Sequence, residues 1–152
     1  MAHQNNISQY AQAIQEQLTS IMTGVQVKTS TGSTVTKNVP VYASFNRNWA
    51  RETEFVTWQL RNVHQEVYTG KYQDIKGIDR PIFQISVFTN KSSDAFNLAN
   101  TIIQSLHGYT GQFGGVGGFY ISKADVVMLY HGYDDEINLY NIFMDCTLDI
   151  PA

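Results

Sequence analysis

Apolar and polar positions alternate through the C-terminal stretch Tyr140 to Ile150. Tyr140, Ile142, Met144, Cys146, Leu148 and Ile150 are apolar, with Asn141, Asp145, Thr147 and Asp149 between them and Phe143 as the one large exception. Successive side chains of a strand point to opposite faces, so this pattern predicts a strand with one face on a core and one in water. Glu54 to Val63 repeats it, with Val56, Trp58 and Leu60 opposed to Thr57, Gln59 and Arg61. So does Arg80 to Thr89, where Phe83, Ile85 and Val87 oppose Gln84 and Ser86. Phe119 to Tyr130 is predicted as a further long strand. It is joined to Leu139–Ile150 by a turn carrying Gly132, Asp134, Asp135 and Glu136.

The period changes in two places. Ile7, Tyr10, Ala11, Ile14, Leu18 and Ile21 fall on one helical stripe, capped by Asn5 or Asn6 and ended by Gly24 after about Met22. Ala95, Phe96, Ala99, Ile102, Ile103 and Leu106 make a second stripe, opened by Ser92-Ser93-Asp94 and stopped at Gly108. Between these elements lie a short strand from Val25 to Val27 and a loop or weak hairpin over Thr29–Asn38. Val39-Pro40-Val41-Tyr42 is an extended lead-in, because the residue before proline leaves the α region. Asn46–Thr53 reads as a polar loop, His64–Asp79 as a long polar excursion, and Tyr109–Gly118 as a flexible glycine-rich connection. The order predicts a single α+β domain over 1–152, a mainly antiparallel sheet with two helices packed on one face.

Composition sharpens the functional side. Charged residues are 15% of the 152, below the usual quarter, and amides such as Gln9, Gln12, Gln15 and Gln17 take their place. A weakly charged surface costs less to desolvate, which favours an assembly subunit. The net charge of −3 and the scattered lysines and arginines argue against a general nucleic-acid binder. The lone Cys146 falls on the apolar face of its strand, as a small core residue outside any disulfide framework. Met1 to Asn5 lacks the basic and apolar regions of a signal peptide, and no apolar run nears the ~20 residues of a membrane helix. The expectation is a soluble protein made in a cytoplasm, with no membrane partner.

Candidate chemistry is sparse. The glycine run 111–118 follows a helix and precedes a strand, the reverse of a phosphate loop, and lacks the lysine and hydroxyl that end one. Asp134, Asp135 and Glu136 are adjacent and not spaced as calcium ligands, so they read as a solvated hairpin tip. His3, His64, His107 and His131 show no metal-ligand spacing. Cys146 points inward, away from any histidine in a cleft, and Glu52 and Glu54 have no partner acid. No catalytic residue, cofactor site or metal site is predicted. Interaction surface remains. Trp49 sits between Arg47 and Arg51, a combination enriched at interface centres. The excursion with Tyr68 and Tyr72 has the character of a contact arm. Leu139 and Phe143, apolar on a polar face, would be exposed in a monomer, which suits cover by a neighbouring subunit.

In order and kind of element, almost the whole chain resembles the tail terminator, or tail completion, proteins of long-tailed bacteriophages. The likeness runs from the N-terminal helix and Val39-Pro40-Val41-Tyr42 through the strands Phe55–Leu60 and Pro81–Phe88. It continues in Asp94–Ala99 with Ile102, Ile103, Leu106 and Gly108, and in the two closing strands. The resemblance implies a non-enzymatic virion protein that forms a homo-oligomeric ring, typically hexameric, on the head-proximal end of the tail tube. Such a ring ends tube polymerisation and joins tail to head. Its partners would be the tail tube protein and a head connector or completion protein, and DNA would pass through without sequence-specific contact. Two alternatives stay open: another head–tail joining or tail tube subunit, and a small-ligand-binding domain with a pocket lined by Trp58, Tyr109 and Tyr120.

Overall fold

In the computed structural model, residues 7–28, 31–46, 51–68 and 76–151 are described, with backbone alone for 65–68, 76 and 77. The chain runs α1 (Ile7–Met22), β1 (Val25–Lys28), β2 (Thr34–Lys37), β3 (Val41–Ala43), β4 (Glu54–Tyr68) and β5 (Lys76–Thr89). It continues with α2 (Ser92–Leu106), β6 (Gly111–Phe113), β7 (Phe119–Ile121), β8 (Lys123–Asp134) and β9 (Leu139–Pro151). The α+β expectation holds. Five strands form the main sheet in the order β3-β4-β5-β9-β8, parallel at β3–β4 and antiparallel elsewhere.

Register builds the core. Val56, Val87 and Ile142 lie side by side across β4, β5 and β9, as do Trp58, Ile85 and Met144. Leu60, Phe83, Cys146 and Val126 make a third row. Tyr10, Ala13, Ile14, Leu18 and Met22 of α1 and Ala95, Leu98, Ala99, Ile102 and Leu106 of α2 belong to the same buried cluster. Ile7, placed on the predicted stripe, is instead exposed. Gly24 ends α1 with φ 68°, a conformation that glycine takes without a Cβ clash.

Three predicted features are corrected. The excursion 64–79 is strand wherever it is described: His64 pairs with Arg80, Gln65 with Asp79, Glu66 with Ile78, Val67 with Gly77 and Tyr68 with Lys76. The backbone ladder holds the two strands together there, whatever the polarity of the side chains. The glycine-rich connection is ordered too, as a β6–β7 hairpin that buries Phe113 and Phe119. Phe119 meets the Tyr10 ring edge-on, and the Gly114 N–H donates to Gln17 Oε1 at 3.0 Å, which ties the hairpin to α1. The predicted strand 119–130 therefore breaks at Ser122, and β8 begins after it. Finally, α2 has no serine cap. Lys91 occupies the cap position without a side-chain bond, because Ser92 and Ser93 are already inside the helix. The proposed caps of α1, Asn5 and Asn6, lie outside the described residues.

Candidate functional site

Alternation along the strands sends Phe55, Phe88 and Phe143 to the side opposite the core residues Val56, Val87 and Ile142. Phe55 and Phe88 are direct cross-strand partners and stack at 4.9 Å. Phe88 meets Phe143 edge-on at 6.3 Å, and Phe143 stacks on its partner Tyr130 at 5.6 Å. With Tyr42 against Phe55 at 6.3 Å, one row of rings crosses all five strands. Such cross-strand aromatic pairs stabilise a sheet beyond the area they bury. The row corrects two expectations. Phe143 is half-buried between Phe88 and Tyr130 and not openly exposed. Leu139 is buried at 4% exposure, since it forms the first β8–β9 pair, opposite Asp134, inside the closing turn.

The open surface lies one strand further on. β8 pairs with β9 and is the last strand of the main sheet; His107, Gly108 and Tyr109 bond its backbone at Ala124 and Val126, and among the described residues its outer edge is open beyond Val126. Val127, Met128, Leu129 and Tyr130 are each about half exposed along it. Leu129 is an extra residue in the ladder, because the register steps from Met128↔Met144 to Tyr130↔Phe143. A long edge with consecutive apolar side chains is a template for another chain unless it is covered. Sequence reading missed it, although Val126-Val127-Met128-Leu129-Tyr130 is an unbroken apolar run where an internal strand of this fold alternates.

Charge on the sheet is mostly compensated within the chain. Arg61 Nη1 donates to both carboxylate oxygens of Asp145 at 2.8 and 2.7 Å, Arg80 Nε to Asp149 at 3.1 Å, and Lys37 to Glu54 at 2.7 Å. Glu52 accepts from Tyr42 Oη and from Asn46 Nδ2. Among the described residues, the exposed Arg51 and the β8–β9 tip with Asp134, Asp135 and Glu136 are among the charges with no ion pair. Asp134 Oδ1 accepts the Glu136 N–H at 2.9 Å, which shapes the turn. A groove of about 700 Å³ lies beneath this tip, walled by Tyr130, Tyr133 and Phe143 and reaching Asn141. Of the other predicted interface residues, Arg47, Trp49 and Tyr72 lie outside the described residues, and of Tyr68 only the backbone in β4 is described.

The remaining polar residues of the described chain serve mainly in local contacts. The Cys146 thiol is pushed up to about 12, by burial first and by the nearby Asp125 and Asp145 carboxylates after it. His107 Nδ1 accepts the Val126 N–H at 3.0 Å, which joins the end of α2 to β8. Tyr10, buried and donating to Asp79, has its hydroxyl pKa raised by burial first and by that bond second. Trp58 lies in a groove of about 800 Å³ against α1, where its Nε1 donates to Gln15 Oε1 at 2.6 Å. Tyr109 and Tyr120 do not line that groove, so the three aromatics of the ligand-pocket alternative are not brought together. Among the described residues no group of three or more His, Cys, Asp or Glu is placed to hold a metal ion, and no helix is long and apolar enough to cross a membrane.

No family model matches the chain, and no curated protein matches it. A solved structure does: a chain of the "Virion of native gene transfer agent (GTA) particle", with TM-score 0.60 and 14% identity. The match covers 93% of this chain and 97% of that one, so the two share a fold over nearly their full lengths.

Proposed function

We propose that this protein is a structural, non-enzymatic virion subunit of a phage-like particle, and that it closes head to tail into a ring, six-fold in the simplest case. The ring would sit at the head-proximal end of the tail tube, end its polymerisation and offer a surface to the head connector. The observation that carries this reading is the β8 edge, open beyond Val126, with its four consecutive half-exposed apolar residues, on a fold shared with a virion chain. An edge of that kind is a liability in a lone protein and a joint in an assembly. A rotationally closed set of such joints leaves no end to extend, which is what a terminator needs. The helices would shield one face of the sheet and leave the aromatic row on the other.

Light scattering after size exclusion, over a range of concentrations and then with tail tubes added, tests the proposal. A ring-sized species, alone or on tube ends in electron micrographs, is expected. A monomer at every concentration that also leaves tube ends bare would refute it. A tube or joining subunit elsewhere in the particle would instead give long polymers, or rings that ignore tubes.

A further inference from the structure

We infer that the groove beneath the β8–β9 tip receives the Arg51 guanidinium of the next copy of this chain. The inference rests on the ring proposed above and names the contact that closes it. The groove offers acceptors and π faces. Asp135 and Glu136 are exposed at its rim with no cation beside them among the described residues. Tyr130 and Phe143 present stacked rings as its wall. Asn141, only 5% exposed, reaches the groove, and its side-chain oxygen is buried with no donor among the described residues. A buried amide oxygen without a donor is costly, so the site is incomplete as it stands. The group that suits carboxylates, an amide oxygen and ring faces together is a planar cation with several donors and no acceptor, a guanidinium.

The chain carries the complement. Arg61 and Arg80 are engaged with Asp145 and Asp149, whereas Arg51 is exposed and in no ion pair among the described residues. Its place favours a neighbour. Arg51 precedes β4, whose first residue Glu54 pairs with Thr89; Thr89 pairs with Tyr140, and Tyr140 with Tyr133. Arg51 and the acidic tip therefore lie at the same end of the sheet, where Asp134 and Glu136 also border a hollow with Ser44, Phe45 and Asn46, yet no ion pair joins Arg51 to the tip among the described residues. Complementary groups that stay unpaired within one chain are what a head-to-tail contact can join.

Charge reversal tests the pairing in the full chain. Arg51→Glu and the pair Asp135→Lys/Glu136→Lys change exposed side chains, so circular dichroism and the unfolding midpoint should match the parent. Each variant alone should need a concentration roughly tenfold or more above the parent's to form rings, through like-charge repulsion. An equimolar mixture should restore rings, because alternating subunits meet only in opposite-charge or parental contacts. Unaltered assembly of the single variants would overturn the pairing and leave the ring intact. Rescue only when all three changes share one chain would overturn it too, since the pairing would then be intramolecular. A parent that forms no ring by itself or on tubes would remove both proposals at once.

Discussion

Replacing Gly114 with alanine should loosen the hairpin from α1, and the cost can be worked from two separate terms. Gly114 has φ +84°, where an L side chain is strained by about 1–2 kcal/mol. A Cβ there would also stand 2.5 Å from Ala13 Cβ and 2.6 Å from Ala13 Cα, on a helix that is itself in the core. Carbon atoms pack at about 3.5–4.0 Å, so α1 and the hairpin must separate by about 1 Å or distort, an overpacking cost of about 1–3 kcal/mol. The sum is about 2–5 kcal/mol, a large part of the stability of a domain this size. It should lower the thermal midpoint by roughly 4–20 °C. Gly117→Ala is the control: it has no neighbour within 4 Å and no positive φ, so it should stay within about 0.5 kcal/mol of the parent. Adding Ala13→Gly to Gly114→Ala should recover little, because the Cα is as close as the Cβ. Urea unfolding followed by tryptophan fluorescence measures all four chains. If Gly114→Ala fell within 0.5 kcal/mol of Gly117→Ala, the close approach of α1 and the hairpin would be wrong.

Other outcomes follow from the same contacts. Tyr10→Phe removes a donor to the buried Asp79 and should cost about 1–3 kcal/mol in urea melts, while Arg61→Ala, at a half-exposed pair, should cost under about 1 kcal/mol. The Cys146 thiol should resist an aromatic disulfide reagent in the native state and react once the chain is unfolded, and fast native labelling would contradict its burial. Its folded value of about 12 lies above the unfolded value near 9.0, so the unfolded state releases the proton first. Stability from this group is thus complete below pH 9 and lost as pH rises toward 12; a Cys146→Ala chain should lose less stability over that window than the parent. Gly132→Ala should lower the melting midpoint more than Gly117→Ala does: the added Cβ would stand 2.2 Å from the Tyr130 hydroxyl and 2.5 and 2.6 Å from two of its ring carbons, so the ring must shift from its stack on Phe143.

What could be read from sequence was what a local period encodes. The two helices and the inner parts of β4, β5 and β9 follow from spacings of 3.6 and 2, because each has one face on the core and the other away from it. The β4–β5 ribbon over residues 64–68 and 76–79 gave no such signal, because its residues do not alternate apolar with polar, and the buried Asp79 is held by Tyr10 across the sequence. The glycine segment misled for a different reason. Glycines at 114 and 118 are there for close approach, to Ala13 and to the Phe113 carbonyl, and the first of those contacts spans about a hundred residues of sequence. A glycine that serves packing and one that serves flexibility look alike until the distant partner is known. The error over Phe143 has the same root: whether a side chain on a strand face is covered depends on rings of other strands, here Phe88 and Tyr130.

The β8 edge shows where a local pattern did hold usable information. An alternating strand declares one wet face; Val126 to Tyr130 declares none, yet α2 and β9 cover only Val126 and leave the next four residues half exposed. An apolar run without a second buried face inside its own chain has a missing layer, and the Leu129 bulge turns consecutive side chains outward in that region. Among the described residues, the same end of the sheet carries an acidic tip without cations and an amide oxygen without a donor. Hydrophobic, electrostatic and hydrogen-bonding deficits would not coincide at one edge if that edge normally faced water. Their coincidence is the physical argument for a neighbour there, and it stands on this chain's own residues, independent of the fold it shares with a virion protein.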